Sequence, residues 1–211
     1  MNHRPHQESG ADVRVVLRPG TDPLPLGFLA LAFATTLFSA LQLGWIGAAE
    51  GRLVALAVLV LTVPLQLLAS VLGYLCRDPG ALTGMAVLSG TWAAAGATTA
   101  LLPPGGYSDA LGVALLASAA ILLVAASADL AKPVACAVVT LAAIRFAVTG
   151  IAELTASSAW ETAAGITGLL LALLALYAGL AFLLEAARGH AVLPLLRQHP
   201  VEEEPGVRPR L

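Results

Sequence analysis

Apolar positions run together in long blocks along this chain. No charged residue stands between Pro23 and Ala49, Leu53 and Cys76, Pro79 and Ser108, Ala110 and Ala128, or Thr162 and Leu184. A helix rises 1.5 Å per residue, so about 20 residues cross a hydrocarbon core of about 30 Å, and each block reaches that length. A sixth block, Pro133 to Ala152, is broken only by Arg145. The pattern predicts six transmembrane helices, over residues 24–49, 53–75, 80–102, 110–128, 133–152 and 161–187. No segment alternates apolar and polar positions as a membrane barrel requires, so strands are not expected. The connectors Glu50-Gly51-Arg52, Arg77-Asp78-Pro79 and 129–133 are very short. Consecutive helices must then run antiparallel, which makes an all-α membrane protein with its six helices in a compact bundle.

Charge sets the orientation. Lys and Arg near span ends resist translocation. With the N-terminus inside, the cytoplasmic side collects Arg14, Arg18, Arg77, Lys132, Arg188 and Arg197, while the outer loops hold Arg52 alone. Both termini are therefore expected in the cytoplasm of a multi-pass protein of the inner or plasma membrane. Trp45, Tyr107 and Trp160 then fall at the outer boundary, where amphipathic rings settle. Residues 1–22 read as a polar cytoplasmic tail, 23–187 as the membrane domain and 188–211 as a second cytoplasmic tail. From about residue 198 the Glu, Pro and Arg content is too polar to order itself.

Composition agrees and narrows the function. Of 211 residues, 58% are hydrophobic and 11% charged, against about 25% charged in soluble domains. A net charge of −2 offers no basic field for nucleic acid, so no nucleic-acid partner is expected. Cys76 and Cys136 form no CxxC pair and read as small packing residues. The four histidines, His3, His6, His190 and His199, lie outside every span. That leaves no ligand for haem, no HExxH zinc site and no Ser–His pair at membrane depth. Neither an enzyme nor a metal or other cofactor is expected.

The remaining candidates are polar residues inside the spans. The first span carries Thr35, Ser39 and Gln42 and the second Thr62, Gln66 and Ser70, each set on one helical face. The Gln66 amide costs several kcal/mol if left unpaired in hydrocarbon, so it faces either a wet path or a partner helix. Pro64 removes a backbone donor beside it and loosens the helix. Arg145 stands 13 residues beyond Lys132, roughly 20 Å into the core from the cytoplasmic side. It must snorkel outward, pair with Glu153 or Glu161, or face water and draw anions to the outer mouth. The stripe Gly165, Gly168, Ala172, Ala175 and Gly179 on the last span is a packing face for a helix of the same or another protomer.

The opening Asp22-Pro23-Leu24-Pro25-Leu26-Gly27 resembles the Asn-Pro-Ala-Pro-Leu-Gly signature of the acetate uptake transporter family, the succinate-acetate permease type. Gln42, Gly44, Gln66, Tyr74, the run Gly80-Ala81-Leu82-Thr83, Trp92 and Val192-Leu193-Pro194 fall in register with the same pattern. The resemblance covers residues 22 to 196. It implies six helices with both ends cytoplasmic, a homo-oligomer, often a hexamer with one pore per protomer, and passage of acetate or related monocarboxylates, in some members with protons. The signature Asn is Asp22 here and its Ala is Leu24. The family's Phe-Tyr-Leu constriction falls on Leu31, Leu88 and Leu141, so the first two positions depart from the family.

These readings converge on a transporter or channel for small monocarboxylates in the lipid bilayer. Its expected path runs by Leu31, Thr35, Ser39, Gln42, Thr62, Gln66, Ser70, Leu88, Leu141 and Arg145. No acidic residue stands at mid-span, so any coupling to protons must use the substrate's own carboxyl. The alternatives are a path for ammonia or other small neutral solutes, and a scaffold with no pore.

Overall fold

A computed structural model of the chain describes residues 22–128 and 130–196. Among them all regular structure is helical. Helix α1 spans Leu24–Gln42, α2 Gly51–Ala57, α3 Val63–Leu75, α4 Pro79–Leu101, α5 Asp109–Ala128, α6 Pro133–Thr155 and α7 Ser158–Arg188. The second expected span is α2 and α3 together, joined without a break through a π turn at Val58–Thr62. Pro64 is the cause: it lacks an N–H and its ring crowds the carbonyl one turn earlier, so the ladder widens there.

The first expected span stops early. Residues 43–49 leave the helix because Gly44 takes φ +71°. Its N–H bonds to the Leu41 carbonyl at 3.1 Å while the Trp45 N–H reaches the Ala40 carbonyl at 2.8 Å. These two bonds satisfy the last carbonyls and end the helix. Conversely, α6 runs three residues past its expected end and α7 starts three residues before its expected beginning. Their junction turns on Ala156, at φ 48°.

Five helical units are long and apolar enough to cross a membrane: Leu24–Gln42, Ala48–Leu75, Asp109–Ala128, Pro133–Thr155 and Ser158–Arg188. Helix α4 has the length, 23 residues, but its Gly, Ser and Thr residues make it less apolar than the rest.

The units close into a ring. Each packs on its neighbours in the order α1, α3, α4, α5, α6, α7, and α7 returns to α1. The glycine stripe of α7 faces α1 of the same chain, Gly165 against Leu43, Gly168 against Ser39 and Thr35, and Gly179 against Leu29. That order of contacts makes the two helices antiparallel and brings the described ends of the chain to one end of the bundle. Helices α5 and α6 touch backbone to backbone, since a Cβ on Gly150 would stand 2.8 Å from the Gly112 carbonyl oxygen.

The polarity of the bundle is that of a membrane protein. Leu67, Leu68, Val71 and Leu75 of α3 and Leu170, Leu173, Leu176 and Leu180 of α7 are exposed, while Thr35, Ser39, Thr62, Gln66 and Arg145 are buried. At the end holding the described termini, Lys132 pairs with Asp78, tying the α3–α4 turn to the start of α6. Burial pushes the Asp78 carboxyl up, but the Ala81 N–H, the Lys132 ammonium and the Gly80 N–H together hold it below its ordinary value. The stabilisation from this depressed group is present at neutral pH and lost as pH falls through the folded value. Residues 191–196 fold back on the bundle: Leu195 is buried, and the Tyr177 hydroxyl donates to the Pro194 carbonyl at 2.7 Å. The segment expected to be disordered from about residue 198, like residues 1–21, lies outside the described residues.

Candidate functional site

Helix α6 carries Arg145 into the middle of the ring, where it is 2% exposed. One terminal nitrogen donates to the Gln42 Oε1 at 2.7 Å. The other donates to the Thr149 hydroxyl one turn along the same helix, and Thr149 donates back to the Arg145 carbonyl at 2.8 Å. Nε has no partner. Among the described residues no carboxylate lies within ion-pair distance. Both acids considered from the sequence are held elsewhere, Glu153 by the Ser108 N–H at 2.8 Å and Glu161 by the Tyr107 hydroxyl at 3.1 Å. Burial also removes the snorkelling alternative.

Room for the guanidinium comes from Gly168. A Cβ there would fall 2.6 Å from Arg145 Nε, 2.1 Å from Ser39 Oγ and 3.1 Å from Thr35 Oγ1. The Thr35 hydroxyl donates to the Gly168 carbonyl at 3.2 Å, whereas Ser39 Oγ is buried without a partner. Three of the expected path residues of α1, Thr35, Ser39 and Gln42, are thus gathered around Arg145 on the α1–α7 seam.

Two cavities adjoin this cluster. A small one of about 30 Å³ is lined by Gln42, Arg145, Thr149, Phe38, Trp92 and Phe146, among others. A larger one of about 420 Å³, bounded by Arg52, residues 99–107, Glu153 and Glu161, opens at the end of the bundle opposite the Asp78–Lys132 pair. Both share Phe38, Gln42, Thr99 and Glu153, so the larger, a vestibule at the mouth, adjoins the smaller. Phe38, Trp92 and Phe146 pack together there, with the Trp92 ring 5.3 Å from Phe38 and 5.5 Å from Phe146. Trp92 Nε1 is a third buried donor without a partner.

The polar face of the π turn and α3 has a different place. Thr62 donates to the Ala30 carbonyl at 3.2 Å and Gln66 to the Gly27 carbonyl at 3.5 Å, while Ser70 donates to the Leu82 carbonyl at 2.9 Å. Ser89 of α4 reaches the Val63 carbonyl at 2.9 Å. These residues tie α3 to α1 and α4, and Thr62, Gln66 and Ser70 line neither cavity. Gln66 Oε1 remains buried without a donor.

Leu31 and Leu88 are fully buried in the core. Leu141 is partly exposed and packs against it. Leu31 stands seven residues into α1, Leu88 nine into α4 and Leu141 eight into α6. At 1.5 Å per residue these are about 10–14 Å above the end with the described termini, below Arg145 at about 18 Å. In the signature, Asp22 accepts from the Leu24 N–H at 2.9 Å and starts α1. Pro23 is its cap and Pro25 sits in its first turn. Leu26 packs on the core, and Gly27 lies against the Met85 side chain.

Sequence reasoning missed Phe38, Phe146 and Thr149. Thr149 carried a signal, its i+4 spacing from Arg145 on a helix.

No family model matches the chain, and no curated protein does. A solved structure, that of the bacterial acetate channel SatP, is similar with a TM-score of 0.72 at 22% sequence identity, covering 82% of this chain and 98% of that one. The chain therefore has the fold of that channel across nearly the whole of the channel's length.

Proposed function

We propose that this protein is a membrane channel or transporter of the acetate uptake transporter type, passing acetate and related small monocarboxylates. The observation that carries the reading is the fold shared with an acetate channel. The vestibule beside a cavity that a buried cation lines supports it further. The solute enters at the vestibule, passes Arg145, then crosses a dry neck at Leu31 and Leu88, with Leu141 beside it. Helix α4 completes six crossings. The end with the described termini faces the cytoplasm, following the distribution of Lys and Arg. Any coupling to protons, in this reading, uses the substrate's own carboxyl. Copies assemble as a homo-oligomer, a hexamer by resemblance, through part of the apolar exterior.

Liposomes holding the purified protein test the reading with labelled acetate. Flux above that of protein-free vesicles is expected, and it should not follow the protonated fraction alone as pH is raised. Flux tracking that fraction would assign a neutral-solute path, and no flux would leave a scaffold. Separately, a reporter fused after Leu211 should read out as cytoplasmic; an external signal would sink the six-crossing arrangement.

A further inference from the structure

We infer that Arg145 is the binding site for the carboxylate anion of the substrate, closed in this conformation by the Gln42 side chain. The inference deepens the transport reading and rests on it. Its first support is electrostatic. A guanidinium 2% exposed, with no carboxylate partner among the described residues, retains an uncompensated charge at depth. Hydrogen bonds to the neutral oxygens of Gln42 and Thr149 solvate that charge without cancelling it. An anion is the missing component.

The second support is the donor set. Trp92 Nε1, on the wall of the small cavity, is buried without an acceptor, and an anion is the ligand that supplies acceptors alone. Arg145 Nε and Ser39 Oγ are sealed against Gly168, so the accessible edge of the guanidinium is the terminal pair of nitrogens beside the small cavity. Gln42 Oε1 holds one of them. The Thr149 hydroxyl holds the other, and a carboxylate that matches the pair bidentately would replace both neutral acceptors.

Size and surroundings set the class of ligand. The small cavity, about 30 Å³, has room on the order of two waters, the scale of a one- or two-carbon acid. Its apolar wall of Phe38, Trp92, Phe146, Leu111 and Leu115 suits a methyl group. A second carboxylate would have to rest on that wall or beside Glu153, so a monocarboxylate fits and a dicarboxylate does not. The same buried charge repels ammonium.

The test uses the purified full chain in nanodiscs, titrated with sodium acetate, sodium succinate or sodium chloride while thermal unfolding is followed, with liposome flux measured in parallel. Acetate is expected to raise the unfolding temperature of the parent, and succinate and chloride are not. Arg145→Gln should weaken acetate binding on the order of tenfold to a hundredfold and should unfold no earlier than the parent without acetate, because it removes an unpaired buried charge. An arginine needed only for structure would give an earlier transition. Gln42→Ala, which frees one of the two terminal nitrogens, should bind acetate more tightly, and it decides the matter if Arg145→Gln does not fold. Parental acetate affinity in Arg145→Gln, no tightening in Gln42→Ala, equal stabilisation by chloride or succinate, or no acetate effect on the parent would each overturn the site. Acetate flux in the parent without these binding effects rejects the site and keeps the transport reading. Binding without flux does the reverse.

Discussion

Gly168→Ala is expected to abolish most acetate binding and flux while leaving a bundle that still folds. In an exposed helix the change would be mildly favourable, since alanine is preferred to glycine by about 0.5–1 kcal/mol. Here the new methyl would sit 2.1 Å from Ser39 Oγ and 2.6 Å from Arg145 Nε, well inside contact distance. Ser39 has no hydrogen bond to lose and turns away at little cost. Arg145 is held at its tip by Gln42 and Thr149, so it moves only by breaking one of those bonds or by pushing α7 off α1. Overpacking of this kind costs about 1–3 kcal/mol, so the net effect is a destabilised protein with a displaced guanidinium. Acetate affinity should fall by about tenfold or more, the worth of one charge-assisted hydrogen bond. Gly165→Ala is the control, because its methyl would strike Leu43 at 2.6 Å on the same seam without meeting Arg145. It should lose stability and keep acetate binding. Gly84→Ala, whose nearest neighbour would be Val139 at 3.9 Å, should change neither. Equal acetate affinity in the Gly168→Ala and Gly165→Ala proteins would show that Gly168 matters for packing alone.

Much of the architecture was legible because hydrocarbon imposes a length and a composition on each crossing. The five uncharged blocks and the one broken by Arg145 each became a helical unit. The glycine stripe of α7 was legible as a packing face, but not its partner, since a stripe states how close a helix comes and not which one. The end of α1 at Gly44 was hidden inside an uncharged run, where hydropathy carries no boundary and only backbone geometry does. Candidate site residues divided along the same line. Thr35, Ser39 and Gln42 share a face, and that face meets Arg145, a residue 103 positions from Gln42. Thr62, Gln66 and Ser70 show the same spacing, and their face meets backbone carbonyls of α1 and α4. Spacing identifies a polar face; the helices packed on it determine whether the face meets backbone carbonyls alone or a buried guanidinium as well. The unpaired state of Arg145 was invisible for a related reason. Glu153 and Glu161 are near enough in sequence to answer it, but Ser108 and Tyr107, from another loop, hold them at the mouth.

Leu88→Ala is expected to widen the range of acids carried while reducing stability. Leu88 and Leu31 are fully buried and stand between the Arg145 site and the end with the described termini. On the proposed path, a solute leaving the guanidinium would have to displace these two packed leucines before it reaches water. An apolar neck of this kind excludes water as well as large solutes, and its bore sets the largest chain that passes. Truncating Leu88 removes the branched end of one wall. In well-packed cores such a change costs about 2–5 kcal/mol, and in this chain it should lower the unfolding temperature without preventing assembly. Discrimination against each extra methylene in a tight apolar passage is worth about 1–3 kcal/mol, or roughly 10- to 200-fold in rate. The ratio of butyrate to acetate flux should therefore rise by at least about tenfold in Leu88→Ala, and similarly in Leu31→Ala. Leu141→Ala should move it less, because Leu141 is only partly buried at the edge of the core. The acetate dependence of thermal unfolding should stay parental in all three, since the guanidinium lies in a higher layer. An unchanged butyrate-to-acetate ratio in folded Leu88→Ala and Leu31→Ala proteins would move the neck to the next apolar layer, the packed rings of Phe38, Trp92 and Phe146. There Phe38→Ala would be the variant that relaxes size selection, and it would do so at the same depth as the anion site.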